Sequence, residues 1–193
     1  MKIYGDSISG NCLKVKYTAD YLNLNYEWVE TDILAGESRT ADYLALNPAG
    51  QVPLLVLDDG RPLSQSNAII SYLAEGSPLL PTDRFLRAKV SEWLFWEQYS
   101  HEPYIAVCRF FVLYQKNPVA DRDAWRVERG EQALDLMELT LEQRDWFVGG
   151  GITIADIALL AYTRLAHEGG FELDSRPALR RWIARAEASL GLT

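Results

Sequence analysis

The chain has 193 residues, with 19 Lys+Arg against 27 Asp+Glu for a formal net charge of −8, and 48% hydrophobic and 24% charged residues. That balance is ordinary globular usage and excludes a disordered, collagen-like or low-complexity chain. The negative charge argues against a surface built to neutralise a phosphate backbone, so no nucleic-acid partner is expected. Met1-Lys2-Ile3-Tyr4-Gly5-Asp6 lacks the apolar run and small-residue cleavage site of a signal peptide, and no apolar stretch reaches the ~18–20 residues of a membrane helix. Cys12 and Cys108 stand too far apart, and are too few, for a disulfide framework or a four-ligand zinc site, while His101 and His167 are isolated from any ligand cluster. The expectation is a cytoplasmic protein with reduced thiols, no membrane partner and no metal.

Ile3-Tyr4 seeds a strand, after which Cys12, Val15, Ala19 and Leu22 recur at helical spacing. Tyr26 to Val29 reads as a second strand, rich in aromatic and β-branched residues. Arg39 to Leu46 reads as a helix stopped at Asn47-Pro48, because the residue before proline disfavours the helical region. Val52 to Leu57 is an apolar strand, Asp58-Asp59-Gly60 a hairpin turn, and Arg61 to Ser64 its return. Ala68 to Ala74 closes the unit as a helix. The order β-α-β-α-β-β-α predicts a mixed sheet with helices packed on it.

The composition shifts near residue 76. Two prolines and a glycine between Gly76 and Pro81 mark a linker, which gives residues 1–76 as an α/β domain, 77–83 as linker and 84–193 as an all-helical domain. Phe85, Ala88, Glu92, Trp93 and Trp96 step by three or four, and Ala124 to Leu141 repeats the pattern. Pro103 is expected to kink or break the first of these helices. Thr153-Ile154-Ala155-Asp156 has the form of a capping box ahead of an apolar helix, with Asp in the place of the usual Glu or Gln.

Three stretches carry chemistry. Ser7 to Val15 joins the first strand to the first helix and places Ser9 as N-cap, beside backbone N–H groups at the positive end of a helix dipole, which favours an anion. Asn47-Pro48-Ala49-Gly50-Gln51-Val52-Pro53 sets a proline at the mouth of a strand. There a cis Val52–Pro53 bond would turn the Val52 backbone toward a ligand's amide, as in strand addition. Gln65-Ser66-Asn67-Ala68-Ile69 again puts small polar residues at a helix start.

SGNCLKV after the first strand, LNPAGQVP before the third, the QSNAI helix start and GITIADI in the helical half together resemble the glutathione S-transferase family over essentially the whole chain. The long forms SGNC-K and EQYSHEP look like a bacterial branch with serine at the active position. The resemblance implies a thioredoxin-like N-terminal domain, an all-α C-terminal domain and a cytoplasmic homodimer. It implies a detoxifying transferase that uses glutathione as co-substrate, without a metal, against a small hydrophobic electrophile. Carried over by position, Ser9 would hydrogen-bond the glutathione sulfur, with Asn11 in support. The Val52 backbone, next to Pro53, would pair with the cysteinyl part, and Gln65 and Ser66 would hold the γ-glutamyl end. Gln51 and Arg39 would face the glycine carboxylate. Many relatives carry Glu where this chain has Gln65, which weakens a direct charge contact to the glutathione amine. Tyr104, Arg109 and Phe111, with Phe110 and Tyr114, are candidates to line a second-substrate pocket between the domains.

Two other readings remain open at the level of sequence. Some relatives place a catalytic cysteine at this helix start and act as glutathione-dependent thiol oxidoreductases, a role that would fall to Cys12; yet Cys12 also lies on the apolar series 12, 15, 19, 22. The fold could also serve as a non-catalytic binding module, which the complete motif set opposes.

Overall fold

The computed structural model describes residues 1–192. The chain divides into two compact units, residues 1–77 and the remainder from Pro78 onward.

The first unit is built on a four-stranded sheet of order β2-β1-β3-β4. Strand β1 (Lys2–Gly5) is parallel to β2 (Glu27–Glu30) and antiparallel to β3 (Leu54–Val56), and β4 (Pro62–Ser64) returns antiparallel along β3. Ile3 lies in register with Trp28 on one side and Leu55 on the other. Ile3, Leu54 and Leu55 are fully buried, as an internal strand pair covered by helices requires. Helix α1 (Gly10–Tyr21) buries Cys12, Val15 and Ala19 of the stripe read from the sequence, while Leu22, the fourth position, is its half-buried C-cap, and it packs against α3 (Ser66–Leu73). Pro53 lies just outside β3, so the ladder begins at Leu54, where a backbone N–H is available to it. Helix α2 (Ala41–Leu46) follows a 3-10 turn over Glu37–Arg39, and Thr40 caps it by accepting from the Tyr43 amide at 3.4 Å. This β-α-β-α-β-β-α order with a mixed sheet is the thioredoxin-like arrangement.

The second unit is helical. Helix α4 (Arg84–Trp96) starts at Asp83, whose carboxylate accepts from the Leu86 amide at 2.8 Å. It runs into a π-helical turn, Glu97–His101, and then into α5 (Glu102–Leu113). Pro103 stands in the first turn of α5, where its missing N–H forfeits no helical bond; the break it enforces is taken up by the wide turn before it. Helix α6 (Ala124–Leu141) is amphipathic, α7 (Ile154–Thr163) is buried along its whole length, and α8 (Pro177–Leu190) closes the unit.

The capping box expected at Thr153 is present, and its acid does more than cap. One oxygen of Asp156 accepts from the Thr153 amide and hydroxyl, both at 2.9 Å; the other accepts from the Phe147 amide at 3.1 Å and the Trp182 indole at 3.0 Å. Burial pushes the Asp156 carboxyl above the ordinary carboxylate range, and these four donors offset part of that. The rings around it, Trp93, Phe147 and Trp182, meet edge to face with centroids 4.6 and 5.1 Å apart. No helix among the described residues is long and apolar enough to cross a membrane.

Candidate functional site

Ser9 is the N-cap of α1: its backbone is extended (φ −75°, ψ 123°) and its carbonyl accepts the first helical bond, from Leu13 at 2.9 Å. Its hydroxyl is not spent on the cap, which is unusual for a serine there. The hydroxyl lies instead within hydrogen-bonding reach of the Cys12 thiol. The loop that carries Ser9 is held from two sides. The Asp6 carbonyl accepts from the Ser9 amide at 3.0 Å and the Asp6 carboxylate from the Ile8 amide at 2.9 Å. Glu30, at the end of β2, accepts from the Ser7 amide at 2.8 Å and the Trp28 indole at 2.7 Å. Burial raises the Glu30 carboxyl, but these donors outweigh it and leave the group below its ordinary range.

Cys12 is fully buried, and its sulfur accepts from the Asp6 amide at 3.3 Å. Burial pushes its thiol up to about 12, although the Asp6 amide and the Ser9 hydroxyl pull the other way. Gly5 adds to the tightness of this corner: a Cβ there would fall 2.5 Å from the Trp28 ring and 3.2 Å from the Cys12 Cβ. A thiol so placed is a neutral packing group at physiological pH.

A second cluster joins the starts of α1 and α3. The Asn11 side-chain carbonyl accepts both the Lys14 ammonium at 2.8 Å and the Ser66 hydroxyl at 3.0 Å. Lys14 and Ser66 are buried. Gln65, N-cap of α3, has φ 72° and ψ 111°, a conformation that costs a side-chain-bearing residue of order 1–3 kcal/mol and that clusters where a ligand is clamped. Its side chain is exposed.

The third element is the 49–53 loop. The Gln51 carbonyl accepts from the Tyr43 hydroxyl and the Asn47 amide, both at 2.7 Å, which pins the backbone just ahead of Val52. The Val52–Pro53 bond is cis, as the sequence suggested. Among the described residues, no hydrogen-bond partner takes the Val52 N–H or C=O, so one backbone donor and one acceptor remain for a ligand. Arg39 lies along the same loop, donating to the Ala49 carbonyl at 3.2 Å. Gly50 is at φ +61°, and a Cβ there would come within 2.6 Å of the Arg39 guanidinium, so conformation and space both call for glycine.

The first unit thus brings Asn11 directly to Ser66, and Arg39 to the loop bearing Gln51, Val52 and Pro53. The remaining candidates lie on α5. Phe111 borders a cavity. Tyr104 packs edge-on to Trp125 at 6.1 Å, and Arg109, 4% exposed, donates through Nε to Glu168. Asp6, Lys14 and Glu30 were not singled out from the sequence. Their function is to fix the loop and helix starts, and isolated charges in a periodic pattern read as solvated surface.

A thioredoxin-like unit with an open Val52 backbone and two polar helix starts, followed by a helical unit, is the organisation that the sequence resemblance implies. The family model for the glutathione S-transferase N-terminal domain matches residues 8–75, and that for the C-terminal domain matches residues 98–189. Glutathione S-transferase 3 of Zea mays is 34% identical over 165 residues, covering 81% of this chain and 73% of that protein. The glutathione S-transferase GstB of Escherichia coli (strain K12) is 31% identical over 189 residues, covering 93% and 89%. A crystal structure of a glutathione S-transferase from Pseudomonas fluorescens superposes with a TM-score of 0.93 at 48% identity, covering 97% of this chain and 94% of that one. The chain belongs to the glutathione S-transferase family. It is a glutathione transferase enzyme.

Proposed function

We propose that Ser9 makes the thiolate of bound glutathione and that the thiolate attacks a small hydrophobic electrophile. The observation that carries this is the Ser9 hydroxyl, set at the N-terminus of α1 and not spent on capping it. A thiol with pKa ~8.5 is only a few per cent ionised at pH 7, and bringing it to ~6.5 takes about 2.7 kcal/mol at ~1.36 kcal/mol per pKa unit. A hydrogen bond to a charged group supplies about 1.5–3 kcal/mol and a helix N-terminus roughly 0.3–1 more. Together these suffice, with neither a metal nor a general base.

In this reading the open Val52 amide and carbonyl, beside Pro53, pair with the cysteinyl unit of glutathione. Gln65 and Ser66 hold the γ-glutamyl end, with Asn11 bracing Ser66. Gln51 and Arg39 face the glycine carboxylate, and the electrophile meets α5 at Tyr104 and Phe111, while Arg109, buried against Glu168, does not reach it. The enzyme acts as a cytoplasmic homodimer in detoxification. The oxidoreductase alternative requires Cys12 as a thiolate. Its burial and its pKa of about 12 weigh against that role and favour Ser9.

The test is glutathione binding by calorimetry, with thiolate absorbance followed across pH, on wild type, Ser9→Ala and Cys12→Ser. Ser9→Ala is expected to bind glutathione with its thiol pKa returned toward 8.5 and turnover reduced about 10–100-fold, the worth of one charge-assisted hydrogen bond. Cys12→Ser is expected to keep turnover. Loss of turnover in Cys12→Ser with activity intact in Ser9→Ala would reverse the assignment.

A further inference from the structure

The second unit carries a cavity of about 300 Å³ whose residues take no part in binding glutathione or the electrophile. That volume stands at the lower end of small-molecule pockets, ~300–1,000 Å³. One side is the end of α6 with the loop that follows it, Leu141 to Asp145. The other is α8, where Ala178, Arg181 and Arg185 recur at spacings of three and four and so share one helix face. Leu141 and Ala178 are buried and supply its apolar part. Everything else that lines it is polar or charged.

Three guanidiniums and two carboxylates border this cavity, and a single pair is closed. Arg185 holds Asp145: Nη2 lies 2.7 Å from the carboxylate, and Nη1 donates to the Asp145 carbonyl at 2.9 Å. The Arg185 guanidinium also stands 5.8 Å from the Trp146 ring, which fixes it further. Arg144 and Arg181 differ. Both are exposed, and neither has an ion pair or hydrogen bond among the described residues. The remaining carboxylate, Glu142, is unpaired as well and offers one negative charge against two. Around the cavity the other charges are spent. Arg180 pairs with Asp174 at 3.4 Å, and Glu138 accepts the Ala178 and Leu179 amides at 3.0 and 2.7 Å. The positive charge here therefore belongs to the two arginine side chains and not to the start of α8. In a chain of net charge −8 it is a local reversal of sign.

We propose that the cavity binds a small hydrophilic phosphate monoester, with the phosphate on Arg144 and Arg181 and the ester body beside Gln143. A phosphate monoester carries about −1.5 to −2 charge at pH 7 and three strong acceptor oxygens, so it takes charge-assisted bonds from two guanidiniums at once. A carboxylate, with one charge and two oxygens, is satisfied by a single guanidinium fork and leaves the second arginine uncompensated. The polar walls favour a hydroxylated body over an apolar one. The site concerns binding alone and is independent of the thiolate chemistry.

Glycerol 3-phosphate is the probe, measured by calorimetry on the full chain at low and high salt, with glycerate and glycerol as the singly charged and neutral controls. The expected result is one glycerol 3-phosphate per chain, weakened by salt, with glycerate about tenfold weaker and glycerol not bound. Arg144→Gln and Arg181→Gln should each lose about tenfold in affinity, as removal of a charge-assisted hydrogen bond implies. Arg180→Gln makes the same change of charge outside the cavity and should lose less than about twofold, because a distant exposed charge is screened. Glu142→Gln removes the opposing carboxylate and should tighten binding at least about twofold. All four side chains are exposed, so the variants are expected to fold and to keep their turnover with glutathione. Absence of binding to wild type, equal binding of glycerate, a loss in Arg180→Gln as large as in the two cavity arginines, or no tightening in Glu142→Gln would each overturn the proposal.

Discussion

Two serine-and-glutamine positions show how one residue's surroundings set its work. Ser9 could have been an ordinary cap, but its hydroxyl is left off the helix amides, while the neighbouring Cys12 thiol is buried and pushed up to about 12. Gln65 stands out through its backbone. At φ 72° it sits where glycine is at ease and a side chain is strained. Gln65→Gly is therefore expected to leave thermal stability unchanged or raise it by up to about 1 kcal/mol, less the added freedom of the unfolded chain. The same substitution should weaken glutathione binding about tenfold by removing a hydrogen-bonding side chain. Parallel melting and calorimetry on one preparation check both, and a loss of stability with affinity intact would mean that the conformation serves the fold alone.

At the scale of elements, two carboxylates bind segments together. Asp156 gathers donors from Thr153, Phe147 and Trp182, so Asp156→Ala leaves an amide pair and an indole N–H buried without partners. At ~1–3 kcal/mol for each orphaned group, a loss of at least about 3 kcal/mol is expected, read from urea unfolding. Glu30 ties β2 to the loop bearing Ser9, and its effect depends on pH. Its folded pKa is depressed, so the stability it contributes is present above the ordinary glutamate range and is lost as the pH falls through the lower folded value. The stability difference between wild type and Glu30→Gln should thus be largest near neutrality and shrink as the pH falls through the lowered folded value, and because Glu30 is exposed it is expected to be under about 1 kcal/mol. Urea midpoints across that range measure it. In Glu30→Gln the loop loosens, and turnover should fall while glutathione affinity changes little.

For the whole molecule, glutathione that binds the folded chain and not the unfolded one must stabilise it. At about 100 times Kd the gain is about 2.7 kcal/mol. A rise in Tm with glutathione is expected for wild type and for Ser9→Ala alike, because the role proposed for Ser9 is on the thiol pKa more than on binding. A Tm that does not move in either protein would remove the basis for the site as a whole.

Much of this was legible in sequence because the signals are local. Helical spacing gave the buried stripe of α1, Asn47-Pro48 ended α2, Asp58-Asp59-Gly60 turned the hairpin, and Thr153 with Asp156 marked the start of α7. Each rests on contacts within a few residues, where backbone sterics and capping chemistry act. The extent of β3 was read too long by two residues before Leu54, since where a ladder begins depends on the partner strand. Only the tertiary structure decided that Asn11 would reach Ser66 across 55 residues of chain, that Glu30 would hold the Ser9 loop, and that Arg109 would turn to Glu168. Those pairings are made by chain segments that meet only when the core closes, and spacing along the sequence carries no trace of them.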